Sequence, residues 1–299
     1  MSQPEWIAVD WGTSRLRAYP MMGETAGEEI SSDRGMGSLE RSEFEPALLE
    51  LIAPWLGPRT TVIAGGMVGS RQGWVEAPYR PVPAKPMGGP LTAAPVKRPG
   101  LDVWIVPGLS QTSPPDVMRG EEVQIAGFQA LNPNFDGILC LPGTHTKWVQ
   151  VSAGEVVSFQ TFMTGEMFAV LAQHSVLRHT VGGSDWDEAA FEQALADGLS
   201  SPAHVARHLF GLRAGALLAG LSAGAARARL SGLLMGIELA AARPYWLGQE
   251  IALIGAADLS GHYARALALQ GVSATVAKAD AMTVRGLVAA RDLTKETAP

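Results

Sequence analysis

The sequence contains a single cysteine, Cys140, among its 299 residues. One thiol excludes an internal disulfide framework and is typical of a reducing compartment, so we expect a cytoplasmic location. The first residues, MSQPEWIAVDW, lack the basic and apolar regions of a secretory signal. The most apolar internal stretch, between Arg213 and Arg227, has only 13 residues, whereas a membrane-spanning helix needs about 20. We therefore expect no membrane partner.

Positive charge is also scarce. The chain has 23 Lys and Arg residues against 29 Asp and Glu residues, which gives a formal net charge of -6. General nucleic-acid binders replace phosphate counterions with basic side chains, so we expect no nucleic-acid partner. Hydrophobic residues make up 47% and charged residues 17% of the chain, as in ordinary globular proteins. A length of 299 residues exceeds what one core usually supports, so two domains are expected.

Several familiar site motifs are missing. The sequence has neither the G-x-x-x-x-G-K-[ST] loop nor a G-x-G-x-x-G run after a strand, which disfavours P-loop and dinucleotide-binding proteins. GLSAG at 220–224 fits the nucleophile-elbow pattern, but no strand precedes it in its Ala-rich stretch. His204 and His208 share a helical face without a third ligand, so a structural zinc site is not expected.

Strand and helix patterns alternate along the chain, which predicts an α/β protein. A Pro- and Gly-rich tract at 78–100 interrupts the alternation, and a domain change is expected soon after it. We divide the chain into domains 1–112 and 113–299, with the final helix able to return to the N-terminal domain. Apolar, β-branched runs predict strands at 6–11, 16–21, 61–64, 103–106, 137–141, 147–151, 156–162, 251–255 and 274–277.

Two short segments, VDWGT at 9–13 and LPGT at 141–144, resemble each other. Each ends a predicted strand in Gly-Thr and is followed by another strand. Successive N–H groups in a tight glycine turn, helped by a hydroxyl, form a concavity that suits phosphate oxygens. Asp10 can hold Mg²⁺ through water, because this cation prefers oxygen ligands and keeps several waters. An ordinary hairpin can also contain Gly-Thr, so the prediction of a phosphate clamp depends on the pair.

With these turns identified, longer motifs resemble those of the 2-dehydro-3-deoxygalactonokinase family. They keep the family order and span most of the chain. The resemblance implies two ribonuclease-H-like α/β domains of the actin/hexokinase type, flanking an interdomain active-site cleft that closes over ATP and substrate. The motifs are DWGTS (10–14) with LRA (16–18), GMVGSRQGW (66–74), PDVMRGEE (115–122), LPGTHTKW (141–148) and TFMTGE (161–166).

The same resemblance implies an ATP site. The segment IALIGAADL at 251–259 is similar to an adenosine motif in which a strand leads through glycine into a helix, although related kinases often carry a second glycine where Ala256 stands. The implied ATP-binding residues are Gly12, Thr13, Ser14 and Arg17 at the first turn, Gly143, Thr144, His145, Thr146 and Lys147 at the second, and Gly255 and Ala256 in the adenosine motif.

Phosphoryl transfer requires a group that accepts the proton of the attacking hydroxyl. In related sugar kinases this carboxylate lies at the start of a helix before the second phosphate strand, a position that Glu121 and Glu122 occupy here. We favour Glu121, with Glu122 close behind and Asp10 third, because metal orientation suits Asp10 better. The alternative is that Glu121 and Glu122 only stabilise a helix N-terminus through its dipole.

The motifs also imply a site for the sugar acid. An arginine fork can bind a planar carboxylate through two hydrogen bonds, which favours Arg71 as the recognition residue. The alternative makes Arg71 a surface ion-pairing residue and Trp74 part of the core. The implied substrate-binding residues are Gly66, Met67, Gly69, Ser70, Arg71, Trp74, Thr164 and Glu166.

The predicted function is MgATP-dependent phosphorylation of 2-dehydro-3-deoxy-D-galactonate at its 6-hydroxyl, in galactonate catabolism. The partners are ATP, Mg²⁺ and a small sugar acid, and a homodimer is left open. The alternatives are a kinase of another sugar acid or amino sugar, a non-catalytic nucleotide-binding sugar sensor, and an actin-like filament protein. The substrate-side motifs leave the filament protein little support.

Overall fold

A computed structural model describes residues 3–296 of the chain. Its strands, in chain order, are β1 (Trp6–Trp11), β2 (Leu16–Met22), β3 (Thr25–Ala26), β4 (Ile30–Ser32), β5 (Thr60–Gly66), β6 (Arg80–Pro81), β7 (Thr92–Ala93), β8 (Leu101–Ile105), β9 (Leu109–Thr112), β10 (Pro115–Met118), β11 (Gly137–Leu141), β12 (Thr146–Ser152), β13 (Glu155–Phe162), β14 (Ile251–Gly255) and β15 (Ala274–Lys278). Its α-helices are α1 (Phe44–Leu51), α2 (Glu121–Leu131), α3 (Thr164–His174), α4 (Glu188–Ser200), α5 (Val205–Leu218), α6 (Ala223–Ala241), α7 (Arg243–Trp246), α8 (Ala257–Ala268) and α9 (Ala279–Glu296). Within residues 3–296, no helix has both the length and the apolar character to cross a membrane.

The chain forms two compact units. The first contains the described residues up to Asp136, the segment Val151–Ser158 and those from Ala277 onward, and the second contains Gly137–Gln150 and Phe159–Val276. This division differs from the 1–112 and 113–299 domains of the sequence analysis, because α2 packs against α9 within the first unit. An added Cβ at Gly127 of α2 would collide with the carbonyl oxygen of Met282 of α9, so the two helices are in close contact.

The first unit is built on a seven-stranded sheet with the order β3-β2-β1-β5-β8-β7, in which β4 also pairs with β2. β1 runs antiparallel to β2 and parallel to β5. Successive side chains along a strand point to opposite faces of the sheet. In β1 the apolar residues on both faces are buried. Ile7, Val9 and Trp11 pack with α1, whereas Trp6 and Ala8 join a cluster with α9. A small sheet of order β10-β9-β6 completes this unit.

The second unit contains most of a five-stranded sheet with the order β13-β12-β11-β14-β15. β11 and β14 are parallel and completely buried, as expected for continuous apolar runs such as IALIG. Two helices begin at side-chain caps: Asp187 accepts a hydrogen bond from the Ala190 amide before α4, and Ser222 accepts one from the Ala225 amide before α6. α6 starts directly after the GLS portion of GLSAG, and a loop, not a strand, precedes it.

Candidate active site

The first glycine turn joins β1 to β2 and has a fixed shape. The Gly12 amide donates to the carbonyl of Arg15 at 2.9 Å, and the Gly37 amide donates to the carbonyl of Thr13 at 2.8 Å. A Cβ at Gly35 would overlap the backbone of Thr13 and Ser14, so only glycine fits against this turn. Thr13 and Ser14 are exposed. Their backbone is therefore held rigidly while their hydroxyls face solvent, as a phosphate-binding turn requires.

Asp10 lies at the end of β1, opposite Arg17 of β2. Its Oδ2 accepts a hydrogen bond from Arg17 Nη1 at 3.0 Å, and Asp280 Oδ1 lies 3.7 Å from the same nitrogen. Burial raises the pKa of Asp10, although Arg17 opposes this shift. No group of three or more His, Cys, Asp or Glu residues within 3–296 is arranged to hold a metal. A single carboxylate still fits Mg²⁺, which usually keeps most of its water ligands.

Two glycines bring the start of α2 next to Asp10. Gly66 ends β5 with φ +96°, and a Cβ there would lie 3.5 Å from Asp10 Oδ1 and 2.7 Å from the carbonyl oxygen of Trp11. Gly120 precedes α2 with φ +106°, and a Cβ there would lie 3.4 Å from the Gly66 Cα. Both backbones need glycine. Three motifs far apart in sequence therefore meet at the ends of β1 and β5.

The two acidic residues at the start of α2 have different environments. Glu121 is partly buried, and its Oε2 accepts a hydrogen bond from the Arg119 amide at 3.0 Å. Glu122 is completely buried, and both of its carboxylate oxygens accept from the Gly120 amide, at 2.8 and 2.9 Å. Burial and the neighbouring Glu121 charge raise the pKa of Glu122 to about 8. A hydroxyl can reach Glu121 more readily than Glu122.

The GMVGSRQGW segment forms a compact loop after β5. The Trp74 amide donates to the Val68 carbonyl at 2.9 Å, and the Ala77 amide donates to the Gly69 carbonyl at 2.9 Å. Gly69 and Ser70 are buried, and the Ser70 Oγ has no hydrogen-bond partner. This loop is folded back on itself and does not extend into solvent.

Arg71 and Trp74 lie where the alternative of the sequence analysis put them. The Arg71 side chain is 80% exposed and its Nε is 3.5 Å from Glu76 Oε1. Trp74 is buried, and its ring stacks on Phe44 with centroids 6.2 Å apart. Trp74 thus belongs to the core of the first unit, and Arg71 is a surface ion-pairing residue in this structure.

The second glycine turn joins β11 to β12 and packs against the start of α3. The Glu166 amide donates to the Thr144 carbonyl at 2.9 Å, and His145 Nε2 lies 2.6 Å from Glu166 Oε2. A Cβ at Gly165 would collide with the carbonyl oxygen of Gly143. Thr144 and His145 are exposed. The TFMTGE motif therefore supports the second glycine turn directly.

The two residues that follow this turn are buried. Thr146 is completely buried, and its Oγ1 lies 2.9 Å from the hydroxyl of Tyr263. Lys147 is also buried, with only 4% of its surface exposed. Both lie in β12. Their side chains are therefore less accessible to a ligand than those of Thr144 and His145.

A buried carboxylate that the sequence analysis missed lies behind this turn. Glu238 of α6 accepts hydrogen bonds from the Trp148 indole at 2.9 Å, the Tyr263 hydroxyl at 2.7 Å and the Thr164 hydroxyl. Burial raises the pKa of Glu238, and its three hydrogen bonds oppose the shift. No motif marks this residue, since a single Glu inside a helix usually faces solvent. It links α6 to β12, α3 and α8.

A cavity of about 340 Å³ opens beside the second turn within the second unit. Gly255 adjoins the second glycine turn: a Cβ there would lie 3.4 Å from Pro142 and 2.7 Å from Ser260 Oγ, so the IALIGAADL segment packs closely on this turn. Ala256 is exposed at the start of α8. The lining residues are Gly143, Thr144, Thr164, Gly165, Phe168, Trp186, Arg227, Ser231, Leu234, Met235, Leu259, His262 and Tyr263.

Aromatic and basic side chains line this cavity. The rings of Trp186 and His262 have centroids 4.2 Å apart, and the Arg227 guanidinium lies 5.0 Å from the centre of the Phe168 ring. Flat aromatic faces suit a base, and a guanidinium suits an anion. These four residues were not predicted from the sequence, because they share no motif.

The fold defines the class of the protein. It is an α/β fold of the actin/hexokinase type, and it is similar to component A of the (R)-2-hydroxyglutaryl-CoA dehydratase of Acidaminococcus fermentans, with a TM-score of 0.51 and 12% identity over 97% of this chain and 98% of that one. The chain is also similar to the activator of the 2-hydroxyisocaproyl-CoA dehydratase of Clostridium difficile, a structure solved with bound ADPNP. The TM-score is 0.50, and the identity is 12% over 98% of this chain and 96% of that one. The predicted fold class is confirmed.

The family follows from closer relatives. A family profile described as 2-keto-3-deoxy-galactonokinase matches residues 10–290. The 2-dehydro-3-deoxygalactonokinase of Escherichia coli (strain K12) is 36% identical over 287 residues, covering 94% of this chain and 96% of the relative. The Rhizobium meliloti (strain 1021) protein named "Probable 2-dehydro-3-deoxygalactonokinase DgoK1" is 39% identical over 297 residues, 95% of this chain and 96% of the relative. A crystal structure of a Sinorhizobium meliloti protein described under the same enzyme name has a TM-score of 0.89 and 37% identity over 97% and 99% of the two chains. The chain belongs to the 2-keto-3-deoxy-galactonokinase family, and the predicted resemblance is confirmed.

Proposed function

We propose that this chain transfers the γ-phosphoryl group of ATP to the 6-hydroxyl of 2-dehydro-3-deoxy-D-galactonate in galactonate catabolism. The relatives that carry this enzyme name match nearly the whole chain. The observation that carries the proposal within the structure is the meeting of Asp10, Gly66 and the start of α2 beside the exposed first glycine turn. Phosphoryl transfer needs a phosphate-binding turn, a metal-orienting carboxylate and a base close together.

Glu121 is the proposed base. Its carboxylate is only partly buried and lies at the start of α2, where it can accept the proton of the attacking hydroxyl. Asp10 would orient Mg²⁺, which neutralises charge on the transferred phosphoryl oxygens when it is bound. Arg17 would hold the Asp10 carboxylate in place through its 3.0 Å hydrogen bond and would remain close to the phosphates.

We propose ATP-binding residues within each unit taken by itself. In the first unit the exposed backbone and hydroxyls of Thr13 and Ser14 would bind phosphate oxygens, while the Gly12 amide, which donates to the Arg15 carbonyl, would hold the turn in shape. In the second unit Gly143, Thr144 and His145 would do the same, while the adjoining cavity would take the adenosine between Trp186, His262 and Arg227. Thr146 and Lys147 are buried, so we propose that they support this turn from β12.

The proposed substrate-binding residues are Gly66, Met67, Gly69, Ser70, Thr164 and Glu166. Gly66 adjoins both Asp10 and Gly120, the residue before α2, and the loop after Gly66 folds back on itself through internal backbone hydrogen bonds. Arg71 stays a predicted substrate contact, although its exposed pairing with Glu76 gives this role no support. The cytoplasmic location and a homodimer also stay predictions.

A coupled ADP-release assay with a panel of 2-keto-3-deoxy sugar acids, aldonic acids and amino sugars tests this function. We expect the highest kcat/KM with 2-dehydro-3-deoxy-D-galactonate and dependence on Mg²⁺. A higher kcat/KM with another panel member would reassign the substrate. Binding of ATP without ADP release from any member would favour the sugar sensor.

A further inference from the structure

Arg119 is a buried cation with unsatisfied donors. The residue is only 7% exposed, and its Nη2 donates to the carbonyl of Ala77 at 2.7 Å. Its Nε and Nη1 are buried and have no hydrogen-bond partner. A guanidinium cannot lose its charge in a protein, and buried unpaired donors are costly. Such a group normally has an anionic or polar partner.

The surroundings of Arg119 are built for its guanidinium. A Cβ at Gly69 would lie 2.8 Å from Nη1, so glycine is needed where the loop covers this group. The guanidinium also lies 4.3 Å from the centre of the Tyr79 ring, which holds its plane in place. Ser70, next to Gly69, has a buried Oγ without a partner. Unsatisfied donors thus occur both on Arg119 and on the loop that covers it.

The nearby acidic side chains do not satisfy these donors. Both Glu122 carboxylate oxygens accept from the Gly120 amide, and Glu121 accepts from the backbone amide of Arg119. The Glu122 charge still interacts with Arg119 electrostatically. Among the described residues, no carboxylate forms an ion pair with the Arg119 guanidinium. A carboxylate supplied by a ligand would therefore give Arg119 Nε and Nη1 the acceptors that they lack.

We propose that Arg119, with Ser70 Oγ, binds the carboxylate of the sugar-acid substrate. This inference rests on the proposed function, and it places the recognition arginine at 119 and not at the exposed Arg71. The base Glu121 is two residues further along the chain, whereas the Arg119 side chain extends to Ala77 and Gly69. Opposite ends of one substrate, its carboxylate and its 6-hydroxyl, can thus be held by one short segment. The Gly69–Ser70 backbone covers the guanidinium and has to shift as the carboxylate binds.

The test compares the sugar acid with its carboxamide, which has the same shape without the charge. We expect Arg119→Gln to lower kcat/KM for the acid by roughly 10- to 100-fold, mainly through KM, because a charge-assisted hydrogen bond is lost. The carboxamide kcat/KM is expected to change less than about threefold, so the acid-to-amide ratio falls. Arg59→Gln, which removes the charge of an exposed arginine, is the matched control and should keep the wild-type ratio.

Arg119→Lys keeps the charge and is the second variant in case Arg119→Gln does not fold. It is expected to lower the acid-to-amide ratio by about tenfold, because an ammonium lacks the planar fork. If kcat/KM fell equally for the acid and for the carboxamide, Arg119 would have a structural role and the proposal would be overturned. The proposal would also be overturned if Arg71→Gln lowered kcat/KM for the acid alone while the Arg119 variants kept the wild-type acid-to-amide ratio. If the wild-type protein phosphorylates neither compound, the proposed function itself is wrong.

Discussion

Glu121 and Glu122 are neighbours at the start of α2, yet the first carboxylate is partly accessible and the second is completely buried against the Gly120 amide. A helix places adjacent residues about 100° apart around its axis, so the two side chains must point to different surroundings. This difference separates two candidates that the sequence leaves nearly equal. We therefore propose proton transfer for Glu121 and a supporting role for Glu122.

Glu121→Gln is expected to lower kcat on the order of 10²-fold or more, because the amide cannot accept the hydroxyl proton. The KM for ATP should change little. Steady-state kinetics of Glu121→Gln and Glu122→Gln, measured side by side, check this expectation. A large loss in Glu122→Gln alone would move the base to Glu122, and near-normal turnover in both would refute a base at this position.

Glu122 should make stability depend on pH. Its pKa is raised from 4.5 in the unfolded chain to about 8 in the folded protein. Between pH 4.5 and about 8 the folded state therefore keeps a proton on Glu122 that the unfolded chain has lost. The stabilisation from this group is complete below pH 4.5 and is lost as the pH rises through 8. A pKa difference of this size corresponds to a free energy on the order of a few kcal/mol. Urea unfolding of wild type and Glu122→Gln between about pH 5 and 9 tests this. The variant should lose less stability with rising pH, and parallel curves would contradict the assignment.

Gly165→Ala is expected to displace the second phosphate turn, because the new Cβ collides with the Gly143 carbonyl. We expect a loss of about 1–3 kcal/mol in the free energy of unfolding and a higher KM for ATP. Gly211→Ala is the matched control, since its Cβ would have no neighbour within 4 Å in α5. Alanine there should be neutral or stabilise the protein by up to about 1 kcal/mol. Similar ATP affinities in both variants would show that Gly165 does not position the turn.

Glu238→Gln removes one acceptor oxygen and adds a donor where three donors converge. The new amide N–H group must then face either the Trp148 indole N–H or the Thr164 and Tyr263 hydroxyls, which would have to turn and accept, and we expect a cost of about 1–3 kcal/mol in stability. The KM for ATP is expected to rise as well, because Thr164 and Tyr263 line the cavity beside the second turn. Denaturant unfolding and ATP kinetics measure the two effects. Glu250→Gln, at an exposed position, should stay within about 0.5 kcal/mol of wild type. A Glu238→Gln protein with wild-type stability would contradict this account.

The sequence predicted the buried strands well. The bounds expected for β1, β11 and β14 agree with the structure, because each is a continuous apolar run that ends at a turn or glycine. Strands of two to four residues, such as β3, β6 and β7, were missed because so few positions cannot show a period. The return of the final helix to the N-terminal domain was allowed for, but the place of α2 in the first unit was not predicted, since it depends on the long-range packing of α2 on α9.

At the site, the sequence predicted the residues that belong to continuous motifs. Both glycine turns are exposed and suitable for phosphate, whereas the motif neighbours Thr146 and Lys147 are buried in β12. A motif gives spacing but not the direction of each side chain. Glu238 belongs to no motif, and Arg119 belongs to the PDVMRGEE motif (115–122) but was not predicted as a site residue. Their importance comes from buried hydrogen-bonding geometry, which single residues in a helix or loop do not reveal.

Phosphorus and carbon NMR of the reaction mixture tests the central claim most directly. Purified protein is incubated with MgATP and 2-dehydro-3-deoxy-D-galactonate, and the product is examined without further purification. We expect ADP in equal amount to a new phosphomonoester whose phosphorus couples to the protons on C6. A phosphate on another carbon, or ADP released only together with inorganic phosphate, would contradict the assignment of this chain as a 6-hydroxyl sugar-acid kinase.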